Sequence, residues 1–148
     1  KLSNMSERIC FVIGAKTKDE LLFINELESV CSKTNLTITT DDGTFGIKCF
    51  ATQPLEELTN KEKYDMIYTC GPELMMCKVF ELAQKRQIPI EASLERLMRC
   101  AMGLCGSCMI GKYRVCHDGP IFTTKQLSEI KDELGQSRLN LTGSTDKT

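Results

Sequence analysis

Met98-Arg99-Cys100-Ala101-Met102-Gly103-Leu104-Cys105-Gly106-Ser107-Cys108, followed by Arg114-Val115-Cys116-His117-Asp118-Gly119-Pro120, is the stretch on which the reading of this chain turns. Its four cysteines, Cys100, Cys105, Cys108 and Cys116, fall in the spacing C-x4-C-x2-C-x7-C. Three thiolates from one wrapping loop and a fourth from further on is the plant-type arrangement for a [2Fe–2S] cluster. The small residues fit that task, because Gly103 and Gly106 can take positive φ and let backbone N–H groups approach sulfur. The stretch therefore predicts an irregular cluster loop and a one-electron carrier.

Zinc is the competing reading. Structural zinc sites present two short knuckles, C-x2-C twice, across a long spacer. Here only Cys105 and Cys108 form such a knuckle, which favours the cluster. A Rieske cluster needs two histidine ligands, and the chain has one histidine. That residue, His117, is expected as a polar neighbour of the cluster that tunes its potential. A disulfide framework is disfavoured by the odd total of nine cysteines and by the want of a secretory leader pattern. No run approaches the ~20 apolar residues of a membrane helix. The expected setting is cytoplasmic and reducing.

The 148 residues allow one ordinary domain with a small appendage. Lys and Arg total 19 against 20 Asp and Glu, with no basic stripe or aromatic platform, so nucleic acid is not an expected partner. Tryptophan is absent, so an aliphatic core filled out by methionine and thiols is expected. The chain starts at Lys1, which is read as a piece of a longer protein or a start near Met5.

Upstream of the cysteines the pattern alternates. Residues 9–14 form an apolar run closed by Gly14, as in a buried parallel strand. Residues 17–32 read as a helix with Phe23, Leu27, Val30 and Cys31 on one face. Residues 36–40 alternate as a strand and Asp41-Asp42-Gly43 turns it. Pro54 opens a short helix, residues 64–70 make a third strand, and Pro72 starts a helix whose apolar face carries Met75, Val79, Leu82 and Ala83. Residues 88–92 give a fourth strand, 112–116 a short strand and 123–134 a terminal helix. The succession argues for an α/β fold with a parallel sheet. The expected division is a nucleotide-binding α/β domain over 1–92, a [2Fe–2S] module over 93–136 and a disordered tail over 137–148.

In open parallel sheets, ligands sit beyond the carboxyl ends of the strands. Asp41 and Asp42, and Cys70-Gly71-Pro72, lie at such ends. Free backbone N–H groups at the start of a helix favour anions. Carboxylates near a ribose would accept hydroxyl hydrogen bonds and repel a 2′-phosphate, a tilt towards NADH. The plainer readings are a simple turn for the two aspartates and a buried thiol for Cys70. A G-x-G-x-x-G loop is missing, which is read as truncation, with a domain that binds no nucleotide as the alternative.

In order, the motifs are Thr40-Asp41-Asp42-Gly43-Thr44-Phe45-Gly46, Cys70-Gly71-Pro72-Glu73-Leu74-Met75-Met76, Ser93-Leu94-Glu95, and the cysteine loop closing in Val115-Cys116-His117-Asp118-Gly119-Pro120-Ile121-Phe122. Together they resemble the electron transfer subunit of two-subunit, NAD-dependent dihydroorotate dehydrogenase, within the ferredoxin–NADP reductase-like superfamily. The resemblance implies a relay: a catalytic partner oxidises dihydroorotate at FMN, and the [2Fe–2S] cluster passes electrons singly to FAD, which reduces NAD+. It makes Cys100, Cys105, Cys108 and Cys116 the ligands and places nicotinamide at Cys70-Gly71-Pro72. It implies a heterotetramer with the FMN-bearing subunit. The chain is then an electron carrier, not a catalyst on the organic substrate. Related modules serve sulfhydrogenase gamma subunits and ferredoxin–NADP reductases. A zinc-stapled interaction module is the reading from another class. Against the family pattern the flavin-binding barrel lies outside this sequence, so poor FAD binding by the chain alone is expected. Ala101 replaces a usual glycine and would be strained at positive φ. Cys49 replaces another.

Overall fold

A computed structural model describes residues 9–31, 35–139 and 145–147. The chain divides into two compact units, 1–62 and 63–148.

The first unit is built on strand β1 (Phe11–Ala15), which pairs in parallel with β2 (Leu36–Thr40), Phe11 opposite Leu36 and Ala15 opposite Thr40. A short strand β3 (Ile47–Lys48) extends the sheet in parallel beyond β2. Between β1 and β2 the expected long helix is broken. A 3-10 turn covers Lys18–Glu20 and helix α1 begins only at Ile24, ending at Val30. The cause is Phe23, left-handed at φ 59° and 69 % exposed, which interrupts the helical path that periodicity alone allowed. Helix α2 (Thr52–Lys61) closes the unit. Gly14 is required by packing, since a Cβ there would sit 2.8 Å from the Ala51 Cβ and from Thr39 Oγ1.

The second unit holds β4 (Ile67–Cys70), helix α3 (Glu73–Arg86) and β5 (Ile90–Ser93), a parallel strand–helix–strand crossover in which Ile67 faces Ile90 and Cys70 faces Ser93. Helix α3 buries Met76, Val79, Phe80 and Ala83. Of the expected face, Val79 and Ala83 are buried, while Met75 and Leu82 are only half-buried because Met76 and Phe80 fill the core. After β5 the chain leaves the sheet for the cysteine loop. It then forms the hairpin β6 (Met109–Ile110) and β7 (Tyr113–Arg114), the single helical turn α4 (Val115–Asp118), and β8 (Ile121–Thr123). Strand β8 returns antiparallel onto β5, with Ser93 opposite Ile121 and Ala92 opposite Phe122.

The module after residue 92 is therefore laced to the strand before it. The break expected between 92 and 93 falls inside β5, and both residues pair with β8. The core of this unit is Ile90, Val115, Phe122, Leu127 and Ile130, each no more than 1 % exposed. Burial of that kind is the main favourable term, on the order of 1.5–3 kcal/mol per large side chain.

Two local expectations also change. The strand over 112–116 stops at Arg114, where the Asp118 carboxylate accepts the Arg114 backbone N–H and starts α4, so Cys116 is helical. Helix α5 (Thr124–Glu129), opened by a capping box between Thr123 and Gln126, ends five residues short of Leu134. Turns held by Leu134 N–H to Ile130 O take over. In the tail, expected without structure, β9 (Ser137–Leu139) pairs antiparallel with β10 (Thr145–Lys147); residues 140–144 and 148 lie outside the described set. The α/β pattern with parallel pairing is thus present, carried by two three-stranded sheets rather than one. No helix among the described residues is long and apolar enough to cross a membrane.

Candidate iron–sulfur centre

The cysteine loop is an excursion from one edge of a sheet. Its base is closed by the β5–β8 pairing and by Leu94 N–H donating to Pro120 O at 2.9 Å. Within it Gly103 (φ 79°) and Gly106 (φ 72°) take the positive φ their type permits. Ala101 takes it too, at 52°, which confirms the strained position expected from its replacement of a glycine.

The four thiols are brought together as two pairs. Cys100 Sγ accepts the backbone N–H groups of Leu104 and Cys105, each at 3.4 Å, and shares a side-chain hydrogen bond with Cys105. Cys108 is buried at 3 % exposure; its Sγ accepts the Cys116 N–H at 3.5 Å and is hydrogen-bonded to the Cys116 thiol. Among the described residues no group of three or more His, Cys, Asp or Glu side chains is placed to hold a metal ion.

The electrostatics favour thiolate at one end. The N–H groups of Met102, then Cys105 and Leu104, hold the Cys100 thiol down to about 6. Ser107, whose hydroxyl lies 3.2 Å from the sulfur, lowers Cys105. Cys116 is raised, first by its hydrogen bond to Cys108 and then by burial. N–H dipoles aimed at sulfur are what an anionic iron–sulfur group asks of its loop, and thiolate is the form that ligates. The donor set fits a [2Fe–2S] cluster on chemistry: two thiol pairs for two irons, in a loop with glycine hinges. His117 donates to or accepts from Asp118 Oδ1 at 2.8 Å, beside Cys116 as expected, and packs against Gly103.

The predicted nucleotide residues fall in different units. Asp41 and Asp42 follow β2 in the first. Asp42 Oδ1 accepts both the N–H and the hydroxyl of Thr44, at 2.9 and 2.7 Å, and these bonds lower its pKa. The carboxylate thus closes its own turn. Asp41 is exposed. Cys70, Gly71 and Pro72 lie in the second unit, where Cys70 is exposed, Gly71 sits at φ 147° and Pro72 caps α3. The row Cys70–Ser93–Ile121 runs straight across this sheet, so the Cys-Gly-Pro turn and the base of the cysteine loop share one edge.

Sequence reasoning missed what joins them. Glu73, in the first turn of α3, forms a two-pronged ion pair with Arg96, four residues before Cys100. One prong measures 2.8 Å, and Glu73 Oε1 also accepts the Gly135 N–H at 2.7 Å. Both side chains are almost fully buried, at 6 % and 4 % exposure. Nothing local announces a pair 23 residues apart; the only hint was two charged residues inside otherwise apolar runs.

A parallel α/β scaffold whose second sheet puts out a four-thiol loop is the build of ferredoxin reductase-like electron carriers. The chain superposes with a TM-score of 0.70 on a solved structure of NADH-dependent reduced ferredoxin-NADP oxidoreductase, described for flavin-based electron bifurcation. Identity is 30 %, over 91 % of this chain and 50 % of that one. More narrowly, residues 95–128 match the iron-sulfur cluster binding domain of dihydroorotate dehydrogenase B. A probable electron transfer subunit of dihydroorotate dehydrogenase B (NAD(+)) from Methanocaldococcus jannaschii is 42 % identical over 145 residues, 97 % of this chain and 55 % of the relative. The subunit of the same description from Pyrococcus furiosus is 42 % identical over 130 residues, 88 % of this chain and 49 % of that one. The one from Methanothermobacter thermautotrophicus is 41 % identical over 138 residues, 92 % and 50 %. The chain spans about half the length of these relatives.

Proposed function

We propose that this chain carries a [2Fe–2S] cluster on Cys100, Cys105, Cys108 and Cys116 and works as the electron-transferring part of an NAD-dependent dihydroorotate dehydrogenase. The observation that carries the reading is the disposition of the thiols in two pairs, 100 with 105 and 108 with 116, under N–H groups aimed at sulfur. Two pairs suit two irons; one zinc asks four donors to meet at one centre.

In this reading residues 93–136 form the cluster module and 1–92 the nucleotide side. A catalytic subunit with FMN oxidises dihydroorotate, electrons pass singly through this chain to FAD, and NAD+ is reduced in the cytoplasm. The flavins supply one- and two-electron chemistry; the protein supplies placement. Cys70, Gly71 and Pro72 border the nicotinamide, and Asp41, with Asp42 holding the turn, meets the ribose. Support comes from the shared sheet edge of the Cys-Gly-Pro turn and the loop base, and from the names of the relatives. The solved neighbour supports a second reading, the same module in a ferredoxin–NADP reductase. Co-purification with an FMN-bearing dehydrogenase chain decides between the two.

The test is absorption, EPR and metal counting on anaerobically purified protein. The expected result is a brown protein with about two irons and a rhombic EPR signal on reduction. Cys105→Ser should abolish the visible chromophore while far-UV circular dichroism keeps the α/β signature. A colourless wild type holding zinc sinks the proposal.

A further inference from the structure

Arg114 touches both halves of the cysteine set. Its Nη1 donates to the Gly103 carbonyl at 2.9 Å, inside the loop between Cys100 and Cys105. Its Nε lies 3.5 Å from Asp118 Oδ2, the same oxygen that accepts the Arg114 backbone N–H at 2.7 Å. Asp118 closes α4, the turn that carries Cys116, and its other oxygen meets His117 Nδ1 at 2.8 Å. The ion pair is therefore oriented, its cationic end on the loop and its anionic end tied into α4. The side chains are 40 % and 24 % exposed. An ion pair this exposed contributes little to stability, so its placement calls for another account.

We propose that the Arg114–Asp118 pair is a positioning and tuning element that sets the reduction potential of the cluster. The inference rests on the reading of the four cysteines as ligands. Reduction adds one electron, and so one negative charge, to a group already surrounded by four thiolates, and takes up no proton. The donor is a reduced flavin in the relay and dithionite in the test. The guanidinium, fixed on the Gly103 carbonyl, stabilises that added charge; the Asp118 carboxylate opposes it. Both act across a partly wet surface, so each effect is damped by salt. Surrounding charge and hydrogen bonds are established levers on cluster potential. The consequence is one of sign. Neutralising Arg114 lowers the potential and neutralising Asp118 raises it, whereas a purely structural latch would make both changes act alike.

An EPR-monitored redox titration of the intact cluster-loaded chain tests this, with iron counted in every sample, for the wild type, Arg114→Gln, Arg114→Lys and Asp118→Asn. Arg114→Gln is expected to lower the reduced-to-oxidised ratio at fixed potential by about three- to tenfold. Asp118→Asn should raise it, Arg114→Lys should stay near the wild type, and high salt should shrink every shift. Shifts of the same sign in Arg114→Gln and Asp118→Asn, or none at full iron content, overturn the inference, as does Arg114→Lys behaving like Arg114→Gln. If Arg114→Gln does not load iron, Asp118→Asn and Arg114→Lys decide by the same signs. A wild type without iron or an EPR signal instead fails the ligand assignment itself.

Discussion

Ala101 holds φ at 52°, one residue after the first cluster cysteine, where an L side chain crowds its own backbone. The residue stays there because its neighbours must: the N–H groups of Met102, Leu104 and Cys105 converge on Cys100 Sγ only if the chain turns sharply at 101. Glycine would take that turn without the steric penalty, at some expense in chain entropy when unfolded. Ala101→Gly is therefore expected to stabilise the loop by up to about 1 kcal/mol. The measurement is the denaturant midpoint of the loaded protein, followed at the visible chromophore; a lower midpoint would show that Ala101 is not strained. This position was legible only through the resemblance, because the family pattern has a glycine where this chain has Ala101. The pairing of the thiols was less so, since it depends on α4 folding back to offer the Cys116 N–H to Cys108.

At the scale of elements, two ties brace the second unit, and they differ in kind. The first is the buried pair Glu73–Arg96 with Gly135. Removing one partner strands a charge out of water, which costs about 3–5 kcal/mol. Arg96→Met and Glu73→Gln should each destabilise on that scale, while the double variant recovers much of it. A double-mutant cycle by urea unfolding measures this, and additive losses would contradict a coupled pair.

The second tie is exposed: Glu129 of α5 holds Lys112 Nζ at 2.7 Å and the Tyr113 hydroxyl, pinning the hairpin to the helix. Lys112 first, then Tyr113, lowers the Glu129 carboxyl below its ordinary 4.5. A depressed carboxylate stabilises the fold above its unfolded value, and that contribution is lost as pH falls through the folded one. The urea midpoint should therefore drop below about pH 4.5, and Glu129→Gln should flatten that acid limb relative to the wild type.

Element boundaries show what periodicity conveys. Strand β2 falls on the residues where the sequence alternates, because both its neighbours pair with it in register. The helix over 17–32 failed at Phe23, a backbone conformation that no hydrophobic pattern encodes. The face of α3 was legible only in part, because Met76 and Phe80 lay outside the assumed stripe yet enter the core.

At the scale of the whole molecule, the contacts described above for the cysteine loop lie, among the described residues, after residue 62. The Leu94–Pro120 closure, the Glu73–Arg96 pair, the Arg114–Gly103 bond and the β5–β8 pairing all belong to the second compact unit. Its core of Ile90, Val115, Phe122, Leu127 and Ile130 likewise lies after residue 62. The residues proposed for the nucleotide, by contrast, are divided, with Asp41 and Asp42 in one unit and Cys70-Gly71-Pro72 in the other. Cluster and nucleotide should then separate on truncation. A fragment of residues 63–148 is expected to hold about two irons and give the same EPR line shape as the full chain. It should lose the NADH affinity that depends on the first unit, read by titration against nucleotide fluorescence. A domain this small buries a modest fraction of its surface and is marginally stable, so the fragment should unfold at lower denaturant while keeping its spectrum until it does. A fragment that folds by circular dichroism yet binds no iron would mean that the first unit, too, shapes the cluster loop.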